Sequence, residues 1–136
     1  MPNLTPGSIE NILTSGIQNH TAGNLPKAEG FYRAILQIEP HHPDALHLLG
    51  VIAYQTGKYN IALDLINKAL KFRPKFAKAY SNLGNVLKDM GRLNEAVVNY
   101  QKALAIKPDL AETHSNLGLT LQEQGQPKEA VLSCKR

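Results

Sequence analysis

Apolar residues recur along this chain with the spacing of helix faces. In one stretch, Tyr80, Leu83 and Leu87 occupy positions i, i+3 and i+7, which lie on one side of an α-helix. A second periodic stretch follows it and ends before Pro108, because proline cannot continue a helix. Between the two stretches lies Gly91, where a helix C-terminus favours a left-handed residue. The pattern predicts two antiparallel helices joined by a glycine turn.

The same pattern returns every 34 residues, and internal repeats decide the fold. Three columns of small residues stay unbroken along the chain: Gly16, Gly50, Gly84 and Gly118; Gly23, Gly57, Gly91 and Gly125; and Ala28, Ala62, Ala96 and Ala130. Small residues at Gly84 and Ala96 predict a close helix–helix approach, which a larger residue at Gly84 would disrupt. The predicted units are an N-terminal arm over residues 1–8 and repeats over 9–42, 43–76, 77–110 and 111–136, the last of them truncated.

Helix bounds follow from turn residues within each repeat. Ser8 is the expected N-cap of the first helix. Pro43 and Pro127 stand in first turns, where the missing N–H costs little. The predicted helices are 9–22, 25–38, 43–56, 59–72, 77–90, 93–106, 111–124 and 127–136.

The 34-residue period and the positions that recur within it resemble the tetratricopeptide repeat family, over residues 9–136. The third repeat carries the motif most fully, with Tyr80, Leu83, Gly84, Leu87, Gly91, Ala96, Tyr100, Ala103 and Pro108. This resemblance implies an all-α, right-handed superhelical solenoid of antiparallel helix pairs, with the first helix of each pair lining a concave groove. The first repeat departs from the pattern, because Ile12, Ser15 and Asn19 stand where the third has Tyr80, Leu83 and Leu87. Terminal repeats are often atypical because one face is solvated.

The faces of the first helices that point away from the packing stripe are the candidate binding surface. Their N-terminal half is apolar, with Leu13, Ile17, Leu48, Val51 and Tyr54, and includes His47. Their C-terminal half carries side-chain amides, which donate and accept hydrogen bonds as a peptide backbone does. The alternative is a solvated groove with no ligand. The candidate peptide-binding residues are Asn82, Asn116, Asn85, Lys78, Lys88, Asp89, Tyr54, Val51 and Gln122.

Residues 79–88 and 114–118 resemble repeats of the O-linked N-acetylglucosamine transferase family. In that family, an asparagine at the position of Asn82 and Asn116 recurs along the groove and holds protein substrates. Here the asparagine ladder has two members, since Thr14 and Leu48 hold the matching positions in the first two repeats. The resemblance implies an alternative function: a substrate-recruiting segment of a glycosyltransferase, inactive alone.

Another tetratricopeptide subclass binds the acidic C-terminal tails of chaperones through lysines and asparagines on successive first helices. The corresponding positions of the first repeat hold Leu13 and Ile17, which are apolar. The resemblance therefore does not favour a chaperone-tail clamp.

Composition narrows the function classes further. Hydrophobic residues make up 43% of the 136 residues and charged residues 19%, which is a globular composition. No apolar run approaches the roughly 18 residues that span a bilayer, so no membrane partner is expected. The single cysteine, Cys134, excludes an internal disulfide and favours a cytoplasmic location. Cys134 shares a column with Tyr32 and Tyr100, so we interpret it as a packing residue.

Positive charge is concentrated in residues 58–107, which hold ten basic and three acidic residues, whereas the whole chain has a net charge of +4. An acidic partner or a nucleic acid would fit such a region, but we favour a solvated basic outer face. The periodicity assigns Phe72 and Phe76 to packing, which leaves no aromatic platform for bases, so no nucleic acid is expected. The run without an intervening acid is Lys68, Lys71, Arg73, Lys75 and Lys78.

No catalytic constellation, phosphate loop, metal site or cofactor site is predicted. The spacing of His41, His42 and His47 lacks the i, i+4 pair that helical metal sites use. The expected function is a non-enzymatic protein-interaction scaffold that binds an extended peptide. The truncated fourth repeat predicts a fragment of a longer protein, with self-association through a partly bare end as an alternative role. That end would present Leu117, Leu121, Val131 and Leu132.

Overall fold

A computed structural model describes residues 6–125, which form seven helices and no strand. The all-α class is therefore confirmed for this part of the chain. The helices α2, α4, α6 and α7 have the predicted bounds, and α3 and α5 end one residue early. The helices are α1 (Pro6–Thr21), α2 (Leu25–Ile38), α3 (Pro43–Gln55), α4 (Tyr59–Phe72), α5 (Ala77–Asp89), α6 (Leu93–Ile106) and α7 (Ala111–Gln124).

The chain divides into two compact units between Pro74 and Lys75. In the first unit, α1 packs against α2, α3 packs against α4, and α2 also contacts α3. Three-residue turns join the members of each pair, and such short connections place helices antiparallel. Both pairs contribute side chains to one core, which contains Ile9, Ala28, Tyr32, Ile35, Ala45, Leu49 and Ile52.

In the second unit, α5 packs against α6, and α6 packs against α7. Leu83, Val86 and Tyr100 are buried in its core. A Cβ atom added at Gly84 would lie 2.6 Å from Cε1 of Tyr100, closer than a real contact allows. The predicted close approach at Gly84 is therefore confirmed. The predicted helix over 127–136, with Pro127, Val131, Leu132 and Cys134, lies outside the described residues.

The turn at Gly91 has the predicted left-handed conformation. Gly91 has a φ of 82°, and its N–H donates to the carbonyl of Lys88 at 2.9 Å. The N–H of Arg92 donates to the carbonyl of Leu87 at 2.9 Å. Together these bonds form a Schellman motif, which satisfies carbonyls that the helix end would leave unpaired. The same turn recurs at Gly23 and Gly57, with φ values of 83° and 81°.

The predicted start of the first helix is wrong. Helix α1 already includes Pro6, the first described residue, so Ser8 lies within the helix and is not its N-cap. Part of the predicted N-terminal arm is therefore helical.

Two burial predictions are also wrong. His47, expected on an exposed face, is only 3% exposed, because α3 buries three successive residues, Ala45, Leu46 and His47. Because three successive residues point in different directions around a helix, α3 is buried on most of its sides near His47. Phe72, expected to pack inside, is 40% exposed, because it is the last residue of α4. No helix between residues 6 and 125 combines the length and apolar character of a membrane span.

Candidate functional site

Three asparagine side chains of the second unit form one hydrogen-bonded group, here called the amide cluster: Asn82, Asn85 and Asn116. Asn85 is at its centre. Its Oδ1 accepts from Nδ2 of Asn116 at 3.1 Å, and its Nδ2 donates to Oδ1 of Asn82 at 3.3 Å. Asn82 and Asn85 share a face of α5 because they are three residues apart, and α7 contributes Asn116. The structure therefore brings together the three predicted asparagines.

Tyr100 on α6 fixes the amide cluster from its buried side. Its hydroxyl donates to Oδ1 of Asn85 at 2.6 Å, so both lone pairs of that oxygen are used. Burial raises the pKa of Tyr100 to about 12, against a smaller lowering by a hydrogen bond with Thr120. The negative charges of Asp89 and Glu123 make smaller contributions to this rise. Tyr100 therefore stays a neutral donor at ordinary pH.

The three amides differ in what they offer a ligand. Asn85 is held by three hydrogen bonds, so it positions its neighbours. Asn116 uses one N–H of its amide, and within residues 6–125 its Oδ1 and its second N–H make no hydrogen bond. A carboxamide with one acceptor and one donor to spare matches the C=O and N–H of a peptide backbone. Asn116 is thus the member best suited to contact a ligand.

A cleft of about 250 Å³ opens beside Asn82. Ser81 Oγ and Thr113 Oγ1 share a hydrogen bond of 2.7 Å at its wall and join α5 to α7. Its rim carries charges of both signs, so it suits a ligand with mixed polar groups. The lining residues are Lys78, Ser81, Asn82, Asp109, Leu110, Ala111, Glu112 and Thr113.

Of the other candidates in the second unit, only Lys78 lines this cleft. Lys88 and Asp89 lie at the far end of α5, and Gln122 lies near the end of α7. Asp89 acts on the site electrostatically, since its charge contributes to the raised pKa of Tyr100. The structure therefore separates these three residues from the cleft.

The apolar candidates belong to the first unit. Val51 and Tyr54 are half-buried on α3, and the ring of Tyr54 lies 5.9 Å from that of Tyr59 between centroids. Leu13 and Leu48 are partly buried and pack against the core. Exposure is substantial only at Ile17, which is 43% exposed.

A histidine bridge in the first unit was not predicted. The Nδ1 atom of His20 lies 3.0 Å from the hydroxyl of Tyr32, and Nε2 lies 2.7 Å from Oε1 of Gln55. This bridge joins the first repeat to the second. The available signal was Tyr32 itself, because a buried tyrosine hydroxyl needs a partner. The same signal applies to Tyr100.

Solved structures with the same fold come from several kinds of protein. The K341M mutant of the Thermobaculum terrenum O-GlcNAc transferase aligns with a TM-score of 0.85 at 30% identity, over 90% of this chain. This chain spans 24% of that transferase chain. The TPR domain of Sgt2 from Aspergillus fumigatus aligns with a TM-score of 0.82 at 22% identity, over 90% of this chain and 82% of that one.

A third structure is the first TPR of Spaghetti (RPAP3) bound to the HSP90 peptide SRMEEVD. It aligns with a TM-score of 0.82 at 20% identity, over 90% of this chain and 97% of that one. No curated protein matches the chain. A family model for the TPR repeat matches residues 50–91 and 84–125, which together cover more than half of the chain. The chain therefore belongs to the tetratricopeptide repeat family.

Proposed function

We propose that this chain is a non-enzymatic protein-interaction module that binds an extended peptide segment of a partner protein on the exposed face of α5 and α7. The observation that carries the proposal is the amide cluster, in which Asn85 is held in place while Asn116 keeps an acceptor and a donor for a ligand. Family membership supports interaction rather than catalysis. The peptide bound to the RPAP3 domain also supports peptide binding, because that domain has the same fold.

The cleft beside the amide cluster favours a peptide with charges of both signs. Lys78 would attract an acidic side chain, and Asp109 and Glu112 would attract a basic one. A clamp for chaperone tails is not favoured, because Leu13 and Ile17 replace the required polar residues. A cytoplasmic location belongs to the same proposal, since one cysteine in 136 residues fits a reducing compartment.

The test begins with an array of unrelated extended peptides probed with the purified chain. The peptides that bind are then titrated against the double variant Asn82→Ala, Asn116→Ala. Each lost neutral hydrogen bond costs about 0.5–1.5 kcal/mol, so the double variant should bind about tenfold more weakly or worse. Lys88 and Gln122, which lie away from the cleft, should matter little.

The matched control is the double variant Asn60→Ala, Asn67→Ala, which removes two exposed amides from α4. It should bind the same peptides as tightly as the wild type does. An array without binders, or binders that tolerate loss of both Asn82 and Asn116, would contradict the proposal. Circular dichroism of each variant separates loss of binding from loss of fold.

We propose a second candidate function, as the substrate-recruiting segment of a glycosyltransferase. The observation in its favour is the 30% identity with the Thermobaculum terrenum O-GlcNAc transferase, of which this chain spans 24%. The test is to read the parent gene beyond the codon for Arg136. A glycosyltransferase domain in the same reading frame would support this function, and a stop codon or an unrelated domain would contradict it.

A further inference from the structure

A second cleft lies in the first unit, between the turn that follows α2 and helix α4. Its volume is about 380 Å³, which falls within the range of side-chain and small-ligand pockets. It shares no residue with the amide cluster or the cleft beside it. The lining residues are Pro40, His41, Leu46, Lys68, Lys71 and Phe72.

The aromatic side of this cleft is an exposed phenylalanine. The ring of Phe72 stacks on that of His41, with centroids 4.2 Å apart and an interplanar angle of 23°. Although Phe72 is apolar, 40% of it stays exposed. Pro40 and Leu46 extend the apolar lining. The floor of the cleft is therefore apolar surface, and its contact with water is unfavourable.

Two lysines supply its charge. Lys68 and Lys71 share a face of α4, because they are three residues apart. Among the described residues, neither ammonium forms an ion pair, whereas the neighbouring Arg73 is already paired with Asp44 at 2.9 Å. The Nζ atom of Lys71 lies 5.9 Å from the centroid of the Phe72 ring. Two lysine ammonium groups, neither in an ion pair among the described residues, thus border the apolar floor.

The repeat fold does not require this combination. The matching positions of the neighbouring repeats do not pair two lysines with an aromatic ring. The first repeat has Ala34, Gln37 and Ile38, and the third has Lys102, Ala105 and Ile106. The repeat pattern therefore does not dictate Lys68, Lys71 and Phe72.

We propose that this cleft binds an acidic peptide segment of a partner protein, with two carboxylates that pair with Lys68 and Lys71 and an apolar side chain that covers Phe72. Side chains three residues apart on a helix have Cβ atoms about 5–6 Å apart. Alternate side chains of an extended peptide lie about 6.6 Å apart on one side of it. The fitting segment therefore carries its two acids two residues apart and its apolar residue two positions beyond them, in either direction.

A protein ligand fits this cleft better than a nucleic acid. The Phe72 ring has one face covered by His41, and a single open aromatic face is a poor match for nucleic-acid sites, which stack successive bases on several aromatic rings. Two lysines neutralise few phosphates, whereas nucleic-acid affinity rests on many such contacts. An apolar floor with a charged rim is instead the usual arrangement of a protein–protein contact.

The test uses fluorescein-labelled peptides that contain Leu-Ser-Glu-Ser-Glu or Glu-Ser-Glu-Ser-Leu, and the same peptides with glutamine for glutamate. At least one glutamate peptide should bind, and its glutamine counterpart should bind roughly 2–30-fold more weakly, because each exposed ion pair contributes about 0.2–1 kcal/mol. Lys68→Glu with Lys71→Glu should reduce binding by a similar factor. Phe72→Ala should also weaken it, since the apolar side chain loses its contact.

The matched control reverses two lysines elsewhere, Lys102→Glu with Lys107→Glu, and should leave the affinity within about twofold. The variant Asn82→Ala, Asn116→Ala should bind these peptides normally, so failure here and failure of the proposed function are distinguishable. The proposal would be overturned if the glutamine peptides bound as tightly as the glutamate peptides. It would also be overturned if the control variant lost as much affinity as Lys68→Glu with Lys71→Glu. Tighter binding of a single-stranded oligothymidylate that Lys68→Glu with Lys71→Glu abolishes would assign the cleft to nucleic acid instead.

Discussion

The hydroxyl of Tyr100 donates to Oδ1 of Asn85 across 2.6 Å, and this bond joins the buried side of α6 to the exposed face of α5. Tyr100 has no solvent exposure, whereas Asn85 is half-buried. Through Asn85, the same oxygen also orients Asn116. The packing of one helix pair therefore sets the position of the amide that we propose to contact a peptide.

Removal of the Tyr100 hydroxyl tests this coupling. We expect Tyr100→Phe to lower the free energy of unfolding by about 1 kcal/mol, because Asn85 loses a short buried hydrogen bond. Urea denaturation measures this loss. The control is Tyr80→Phe, whose hydroxyl makes no hydrogen bond within residues 6–125, and it should stay within about 0.5 kcal/mol of the wild type. Equal effects of the two variants would contradict a special role for the Tyr100 bond.

A methyl group at Gly84 should destabilise the second unit. The new Cβ of Gly84→Ala would lie 2.6 Å from Tyr100, so the helix pair must separate or the ring must move, at a cost of about 1–3 kcal/mol. The control is Gly30→Ala, because a Cβ at that helical glycine meets nothing within 4 Å. We expect this control to raise stability by about 0.5–1 kcal/mol. Thermal or urea unfolding that ranks the two variants the other way would refute the close approach.

Stability should fall at alkaline pH because of the two buried tyrosines. The pKa of both Tyr32 and Tyr100 is raised from 10.0 to about 12 by burial. Above pH 10 the unfolded chain loses these protons while the folded chain keeps them. The stabilisation is therefore complete below pH 10 and is lost as pH rises toward 12, by up to about 1.4 kcal/mol per pH unit for each tyrosine.

The comparison of wild type with Tyr100→Phe isolates this effect from the titration of lysines. Urea midpoints at pH 8.5 and pH 11 should show that the variant loses less stability than the wild type over this interval. A difference between the two proteins that does not change with pH would show that Tyr100 does not resist ionisation in the folded state.

The left-handed turn at Gly91 predicts a graded response to substitution. Its φ is 82°, and a Cβ there meets nothing within 4 Å, so backbone strain is the main cost. We expect Gly91→Ala to cost about 1–2 kcal/mol and Gly91→Asn to cost less, because asparagine tolerates this conformation. Denaturation midpoints check the order. An alanine variant as stable as wild type would contradict the turn geometry.

Most helix bounds could be predicted from the sequence, because the signals that set them are local. Gly91 and Pro108 mark helix ends by their own backbone preferences, and the same turn residues recur every 34 residues in the other repeats. The prediction that α1 starts after Ser8 failed because serine is only a preferred N-cap, and here the residues before it are already helical.

The site was harder to predict than the helices. Asn82 and Asn116 share a column, which suggested a ladder of equivalent residues. In the structure they are joined through Asn85. The position of the Asn85 amide depends in turn on its hydrogen bond with the hydroxyl of Tyr100. Periodicity gives the face on which a residue lies, but not which of its hydrogen bonds are already made. His47 shows the same limit, because burial depends on which surfaces meet α3.

The turns at Gly23, Gly57 and Gly91 also bear on how the chain folds. Each closes a three-residue connection with the same backbone geometry, so the two helices of a pair meet with little loss of loop entropy. The packed helix partners are neighbours in sequence, which gives the chain a low contact order and favours rapid folding. We therefore expect each helix pair to act as a local folding nucleus, so that substitutions at these glycines slow folding in the pair that they join.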